Sequence, residues 1–507
     1  VFILSDMPGT GTFNSSAAKR LVVVIAAALI VVGVSACGSS ASRSNLDPAA
    51  VVPASVPLYI SAAVPTDGQV SQFHQLVTKL AGAKAWTQIS NAFNRTLAKK
   101  HSTWKHDIEP WIGNHVGVAI MSYADVAADG GGSDRGLVLI FPTSNIKQAL
   151  AYAKRTGSAG TVAEQDGSYM IVSDASTLAQ FKAAGGAKLS SSASYTAVQR
   201  HEAGDNLTGY LSVHTLADQV ASAASTAGTT AGTAAASKLS GLLALIPADA
   251  SVGLGVSLTP QSARIDVIPH DIPSTAAGTT GGAGTVAGLP ASSILAAALN
   301  ITLPKHNAFV KEFIKGFSTG VASGIPGAGA LRRAESIVDS VVPALGPLSL
   351  SFSGTSLSNL KAGLTLTPSN MKAADKLLVL AHSAITASGQ LPVKGTAENF
   401  SLAEGPFVVH VGTQAGKVIA LLGYPDAAAF LHPSSTLASN SAYQRAVGEL
   451  PSGAKVPFYL SFQGLDTLLE VLPGTGETAM TKQILGKLSY LAFGSAPSDF
   501  RIVVGFN

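Results

Sequence analysis

The chain has 507 residues, 47% of them hydrophobic and 12% charged, with a formal net charge of +4 and a single cysteine. So small and dispersed a charge argues against an electrostatic nucleic-acid binder, and one thiol excludes internal disulfides, so packing alone must stabilise the fold. The length is that of roughly two to four domains with ample surface to bury.

The first element in chain order is a basic pair, Lys19-Arg20, followed by the apolar run Leu21 to Gly33 and the small residues Val34-Ser35-Ala36, ending at Cys37. A helix over Leu21 to Ala36 would span roughly 24 Å, short of a bilayer core of about 30 Å. A positive start, a short apolar stretch and a small-residue cleavage site mark a removable secretory signal rather than a spanning helix. The segment resembles a bacterial lipoprotein signal; the alternatives are an uncleaved signal anchor or a buried structural cysteine. The resemblance implies cleavage before Cys37, a diacylglyceryl group on its sulfur and a fatty acid such as palmitate on the new amino terminus, two or more chains giving stable anchoring. The expected layout is a lipoprotein signal peptide over 1–36, with Met7 as its natural start, and a flexible spacer over 37–50. No later stretch reaches 18 uninterrupted apolar residues, so one tether to the membrane is expected.

Beyond the spacer the chain reads as one pattern written twice. Val52-Pro53-Ala54-Ser55 recurs as Leu289-Pro290-Ala291-Ser292, an offset of 237, and Pro260 with Arg264 matches Pro497 with Arg501 at the same offset. After each opening comes an amphipathic helix, with Phe73, Leu76, Val77 and Leu80 on one face in the first copy and Val310, Phe313, Ile314 and Phe317 in the second. Pro142 to Lys147 corresponds to Pro368 to Lys372, Tyr195 to Tyr443, Tyr210 to Tyr459, and Gly167 to Val172 parallels Gly405 to His410. Alternating pairs such as Leu348-Leu350-Phe352 with Leu360-Ala362-Leu364-Leu366, or Val252-Leu254-Val256 with Ile265-Val267, read as antiparallel ribbons with one wet face. The expected fold class is therefore α+β: two tandem duplicated units of antiparallel sheet with packed helices, unit one over 51–270 and unit two over 289–507. The Ala/Gly/Ser/Thr-rich stretch Thr275 to Gly288 reads as the linker, placed at 271–288. A second such stretch, Ala221 to Ser237, reads as a loop or weak helix within unit one.

Pro53-Ala54-Ser55-Val56-Pro57-Leu58-Tyr59 and Asp107-Ile108-Glu109-Pro110-Trp111-Ile112-Gly113, the latter followed by a strand from Val116 to Met121, resemble the bacterial domain of unknown function 3352. In the second copy the tryptophan element is reduced to Ala344-Leu345-Gly346-Pro347. That family has no established activity, so the resemblance implies an exported, envelope-associated chain and no catalytic residues.

Candidate chemistry is sparse. Ser-x-x-Lys occurs at Ser144/Lys147, Ser358/Lys361 and Ser369/Lys372, the spacing of serine hydrolases that share a proton with lysine, but the companion Ser-Asp-Asn and Lys-Thr-Gly elements are missing. Ser144 and Ser369 stand where a helix cap belongs. The histidines are scattered, and His101 with His106, five apart, share a helix face poorly. Gly412 to Val418 is too short for a phosphate loop, and Gly327-Ala328-Gly329 reads as a turn before a helix. No catalytic residue, metal ligand or cofactor is expected. Trp86, Trp104 and Trp111 lie together in the first copy, where core packing is the plain reading and an apolar binding face the sharper one. The expected function is a lipid-anchored, non-enzymatic binding or structural module at the extracytoplasmic face of the bacterial cell membrane. Its partners would be the membrane itself and a lipid, cell-wall or envelope protein component. A carrier of a hydrophobic ligand and a hydrolase assembled only in space are the alternatives.

Overall fold

The computed structural model describes residues 43–128, 135–158, 160–199, 205–226, 247–272, 285–300, 346–354, 356–389, 391–404, 407–465, 485–496 and 499–507. The chain divides into two compact units: Val1–Ala277 with Ser498–Arg501, and Gly278–Pro497 with Ile502–Asn507. Strand pairings within both units are antiparallel and helices accompany them, so the protein is α+β.

Unit one opens on a 3-10 turn, Pro48–Ala50, whose first amides are satisfied by Asp47. Then follow β1 (Leu58–Ala63), the helices α1 (Asp67–Ala81) and α2 (Ala83–Lys99), a π-helical turn at Trp104–Ile108 and β2 (His115–Ile120). After α3 (Tyr123–Ala128) come β3 (Leu137–Pro142), α4 (Ile146–Thr156), the hairpin β4 (Thr161–Asp166) and β5 (Tyr169–Asp174), and α5 (Ala175–Ala183). A 3-10 turn at Leu189–Ser191 leads into α6 (Ala193–Gln199), β6 (Leu207–Ser212), α7 (Val213–Thr226), β7 (Ser251–Leu258) and β8 (Ser262–His270). The strand order is β4-β5-β3-β2-β1-β6-β7-β8. Local signals set the boundaries: Thr66 and Gln69 close a reciprocal capping box on α1, and Asp174 accepts from the amides of Ser176 and Thr177 to start α5.

Unit two starts with a 3-10 turn at Val286–Gly288, followed by β9 (Leu295–Asn300), β10 (Pro347–Ser353), β11 (Lys361–Leu366) and α8 (Met371–Ser388). Next come β12 (Val393–Gly395), β13 (Phe400–Glu404), β14 (Phe407–Gln414), β15 (Lys417–Leu422), α9 (Ala428–Leu431), a 3-10 turn at Leu437–Ser439 and α10 (Ser441–Gly448). The last strands are β16 (Lys455–Ser461), β17 (Leu488–Ala496) and β18 (Asp499–Phe506). Their order is β12-β13-β14-β15-β11-β10-β9-β16-β17, and β18 ends beside the start of β17, where the Asn507 amide donates to Lys487 O at 2.9 Å. From β14 onward this is the strand order of unit one; β12 and β13 are additional.

Two expectations are corrected. Residues 43–50 are not spacer: Arg43 donates to Pro65 O at 3.2 Å and pairs with Glu109, while Pro48 and Ala49 are buried. The segment's small residues fit under the sheet rather than keep it flexible. The correspondence of Gly167–Val172 with Gly405–His410 is displaced by one strand. β5 pairs with β3, and it is β15, not β14, that pairs with β11, so Tyr169–Asp174 corresponds to Lys417–Leu422. The second-copy helix around Val310 to Phe317 lies outside the described residues, as do residues 1–42 and most of the expected linker.

Each unit is closed by the same backbone clasp ahead of its first strand. In unit one Leu189 N donates to Val52 O at 2.8 Å, Ala54 N to Ala187 O at 2.9 Å and Val56 N to Pro53 O at 3.2 Å. In unit two Leu437 N donates to Leu289 O at 2.8 Å, Ala291 N to Ser435 O at 3.0 Å and Ser293 N to Pro290 O at 3.0 Å. Proline fits at the centre because its missing N–H is not needed there, and the leucine of each 3-10 turn, Leu189 or Leu437, is fully buried. Leu189→Ala and Leu437→Ala are each expected to lower the unfolding free energy by about 2–5 kcal/mol in denaturant titrations. Leu46→Ala, at an exposed position, is expected to change it by about 0.5 kcal/mol or less; equal effects at all three positions would contradict the role given to the clasp.

Candidate functional site

The helical layer of unit one holds all three tryptophans, and the structure divides them. Trp104 opens the π-helical turn, is buried, and lies 6.2 Å from the Phe93 ring. Trp111 is buried deeper, donates its indole N–H to Asp107 O at 2.6 Å, and meets Tyr152 at 5.7 Å and Phe141 at 6.2 Å. Both belong to one core cluster with Phe93, Leu97, Ile112 and Met170. Trp86 is different. It stands half-buried on α2, its ring 6.1 Å from Phe73 and 4.9 Å from His74 on α1.

The turn that carries Trp104 and Trp111 is pinned by Asp107. Its carboxylate accepts from Thr103 N at 2.8 Å and from Arg155 at 2.5 Å, and the Arg155 guanidinium, with the Thr103 amide, holds it below the usual carboxylate range. Gly113 follows because a Cβ there would sit 2.8 Å from Pro142 O. Gly346 occupies the matching place in unit two, where a Cβ would lie 2.0 Å from Thr367 O. The Asp107–Gly113 element is thus a folding device: an anchored turn, a core indole and a close backbone crossing.

The serines of the Ser-x-x-Lys patterns take no catalytic arrangement. Asn145 and Asn370, each one residue after the expected cap, are the N-caps of α4 and α8, accepting from Gln148 N and Ala373 N. Ser144 is exposed, with its hydroxyl 3.4 Å from Pro110 O. Ser358 lies in a 3-10 turn with its hydroxyl 3.0 Å from that of Ser356, and Lys361 sits over the Tyr424 ring at 5.6 Å. The glycine-containing stretch 412–418 is the β14–β15 hairpin, turned by Ala415 and Gly416 at φ 50° and 73°. Gly327–Gly329 and Cys37 lie outside the described residues. His101 ends the turn after α2 and His106 lies in the π-helical turn; among the described residues no group of three or more His, Cys, Asp or Glu is placed to hold a metal ion.

Buried polar chemistry is concentrated in tyrosines and one ion cluster. In unit one Tyr59 meets Tyr195 edge-on at 6.0 Å, and Tyr195 meets Tyr210 at 5.7 Å; in unit two Tyr443 meets Tyr459 at 5.3 Å. Burial pushes Tyr59 well above its ordinary value and Tyr459 up to about 12. Sequence reasoning passed over Asp205, whose carboxylate pairs with Arg264 while Arg264 Nε lies 3.0 Å from Asp266. Burial raises the Asp205 pKa despite that guanidinium. Gly255 makes room for it, since a Cβ there would meet the Asp205 carboxylate at 2.1 Å. The cluster ties the residues just before β6 to β8.

Residues 16–200 match the profile of Protein of unknown function (DUF3352). That stretch spans the apolar run, Cys37 and most of unit one, and the family is the one that the Pro53–Tyr59 and Asp107–Gly113 motifs resemble. Neither a curated protein nor a solved structure matches significantly.

Two outcomes follow from this geometry. Because only Trp86 is half-exposed, Trp86→Phe is expected to remove most of the acrylamide-quenchable tryptophan emission while Trp104→Phe and Trp111→Phe leave it; unchanged quenching in Trp86→Phe would overturn the division. The tyrosines govern alkaline stability. Below about pH 10 folded and unfolded chains both keep the phenol proton; as pH rises toward the folded value the unfolded chain loses it first, so stability falls. Tyr459→Phe should soften unfolding between pH 10 and about 12 and Tyr59→Phe should soften it above pH 10, read by circular dichroism, and an unmoved alkaline midpoint in both would count against the burial.

Proposed function

We propose that this chain is a lipid-anchored, exported protein of the bacterial envelope, held at the extracytoplasmic face of the cell membrane through Cys37. Its two α+β units, products of a tandem duplication, act as non-enzymatic binding or structural modules. The observation that carries the reading is the order Lys19-Arg20, apolar run, small residues, sole cysteine, which is the order of a lipoprotein signal. In support, the family match begins at residue 16 and so includes that whole pattern. The duplication rests on the shared strand order and on the twin clasps at Val52–Leu189 and Leu289–Leu437.

A hydrolase assembled only in space is the alternative from another class; asparagines cap the helices that follow Ser144 and Ser369, so those serines are not needed as caps. A binding role is favoured by the half-exposed Trp86 against Phe73, an apolar contact point on an otherwise polar hairpin. Wild-type protein grown with labelled palmitate should carry the label and fractionate with membranes, and Cys37→Ser should lose the label. Absence of label from the wild type, with Cys37→Ser still fully membrane-bound, would overturn the anchor.

A further inference from the structure

The chain-wide charge of +4 conceals a concentration. Between Ala83 and His106 there are five basic residues and no acidic one, and α4 adds Lys147, Lys154 and Arg155, again with no acid. These eight cations exceed the whole chain's net charge, so everything outside the two stretches is on balance acidic.

The fold brings the ends of both stretches together. Lys100 Nζ donates to Thr156 O at 3.1 Å, joining the C-terminus of α2 to that of α4. Arg155 reaches Asp107 in the π-helical turn at 2.5 Å, so the end of α2, the π-helical turn and the end of α4 meet, and Lys99, Lys100, Lys105 and Lys154 on them are exposed. The two acids nearest in sequence are already matched, Asp107 by Arg155 and Glu109 by Arg43 at 3.3 Å. A helix dipole favours cations at each C-terminus, but it does not account for the convergence of two such ends with Lys105.

The ion pair of Arg43 with Glu109 gives this surface its direction. Only five residues separate Cys37 from Arg43, and six peptide intervals span at most about 22 Å however they run. An anchored Cys37 therefore holds this part of unit one within a short distance of the lipid. Basic residues that close to an anionic leaflet are attracted strongly, and the attraction fades over a Debye length.

We infer that the basic surface of unit one, formed by Lys99, Lys100, Lys105 and Lys154 around the Arg155–Asp107 pair, docks on the anionic phospholipid headgroups of the membrane that anchors the chain. The inference deepens the anchor reading and rests on it for orientation, yet the surface can be tested without the anchor. Full-length Cys37→Ser protein is sedimented with vesicles of phosphatidylcholine alone and with one-quarter phosphatidylglycerol, at low and high salt. It is compared with the same protein carrying Lys99→Gln, Lys100→Gln and Lys105→Gln.

Lys19, Arg20 and the apolar run 21–33 contribute equally to both proteins, so the difference between the two reports on the surface. The expected result is at least tenfold stronger partition of the parent than of the triple variant onto phosphatidylglycerol vesicles, a difference that high salt and pure phosphatidylcholine both remove. Circular dichroism should show both proteins equally folded. Equal partition of the two proteins overturns the inference, as does a parent that ignores phosphatidylglycerol but sediments with purified cell wall, which would reassign the surface to an anionic wall polymer. Palmitate labelling of Cys37 reports on the anchor separately, so failure of one reading is not mistaken for failure of the other.

Discussion

The backbone clasp ahead of each first strand is the constraint on which both units depend. A proline-centred segment is hydrogen-bonded to a 3-10 turn more than a hundred residues later, Val52 to Leu189 in unit one and Leu289 to Leu437 in unit two. The partners are buried, and buried backbone groups must be paired, so the bridge cannot be exchanged for water. It fixes the entrance of β1 or β9 against the turn that feeds α6 or α10 and so determines where the tyrosines of those helices land. Tyr195 then meets Tyr210 and Tyr59, and Tyr443 meets Tyr459, in the same edge-on manner.

Around that shared frame the units differ in what they add. Unit one spends its large aromatics on a helical layer, with Trp104 and Trp111 in the core and Trp86 on the hairpin. Unit two extends the edge of its sheet with β12 and β13. The charged groups follow the same division of labour: Asp205, Arg264 and Asp266 are turned inward as a structural tie, whereas the lysines of α2 and the π-helical turn face outward. A chain with so little net charge can therefore present one strongly basic surface.

Much of this was legible in the sequence where the signal is local. Alternation over 348–366 and 252–267 gave antiparallel pairs, and the residues flanking Pro53, Pro290, Tyr195 and Tyr443 gave the repeated elements. The Asp107–Gly113 motif lies inside the stretch that the family profile matches. What could not be read was non-local. Phe407–Val411 and Val418–Leu422 are both short apolar runs, and only their pairing with β11 tells which one corresponds to β5. Arg43–Ala50 has the composition of a spacer, and its burial depends on distant partners such as Pro65 and Glu109. The charge reads as dispersed along the chain, and the meeting of the basic stretch 84–105 with Lys154 and Arg155 required the fold.

The account stands on one architecture, closed twice in the same way. Amide hydrogen exchange at Leu189 and Leu437 tests this most directly, because each N–H makes the clasp bond of its unit. Both amides should exchange as slowly as those of the central strands β1 and β9, opening only with the unit as a whole. Exchange of either amide at the rate of an exposed turn would mean that the clasp does not hold that unit together, and the common frame would fail with it.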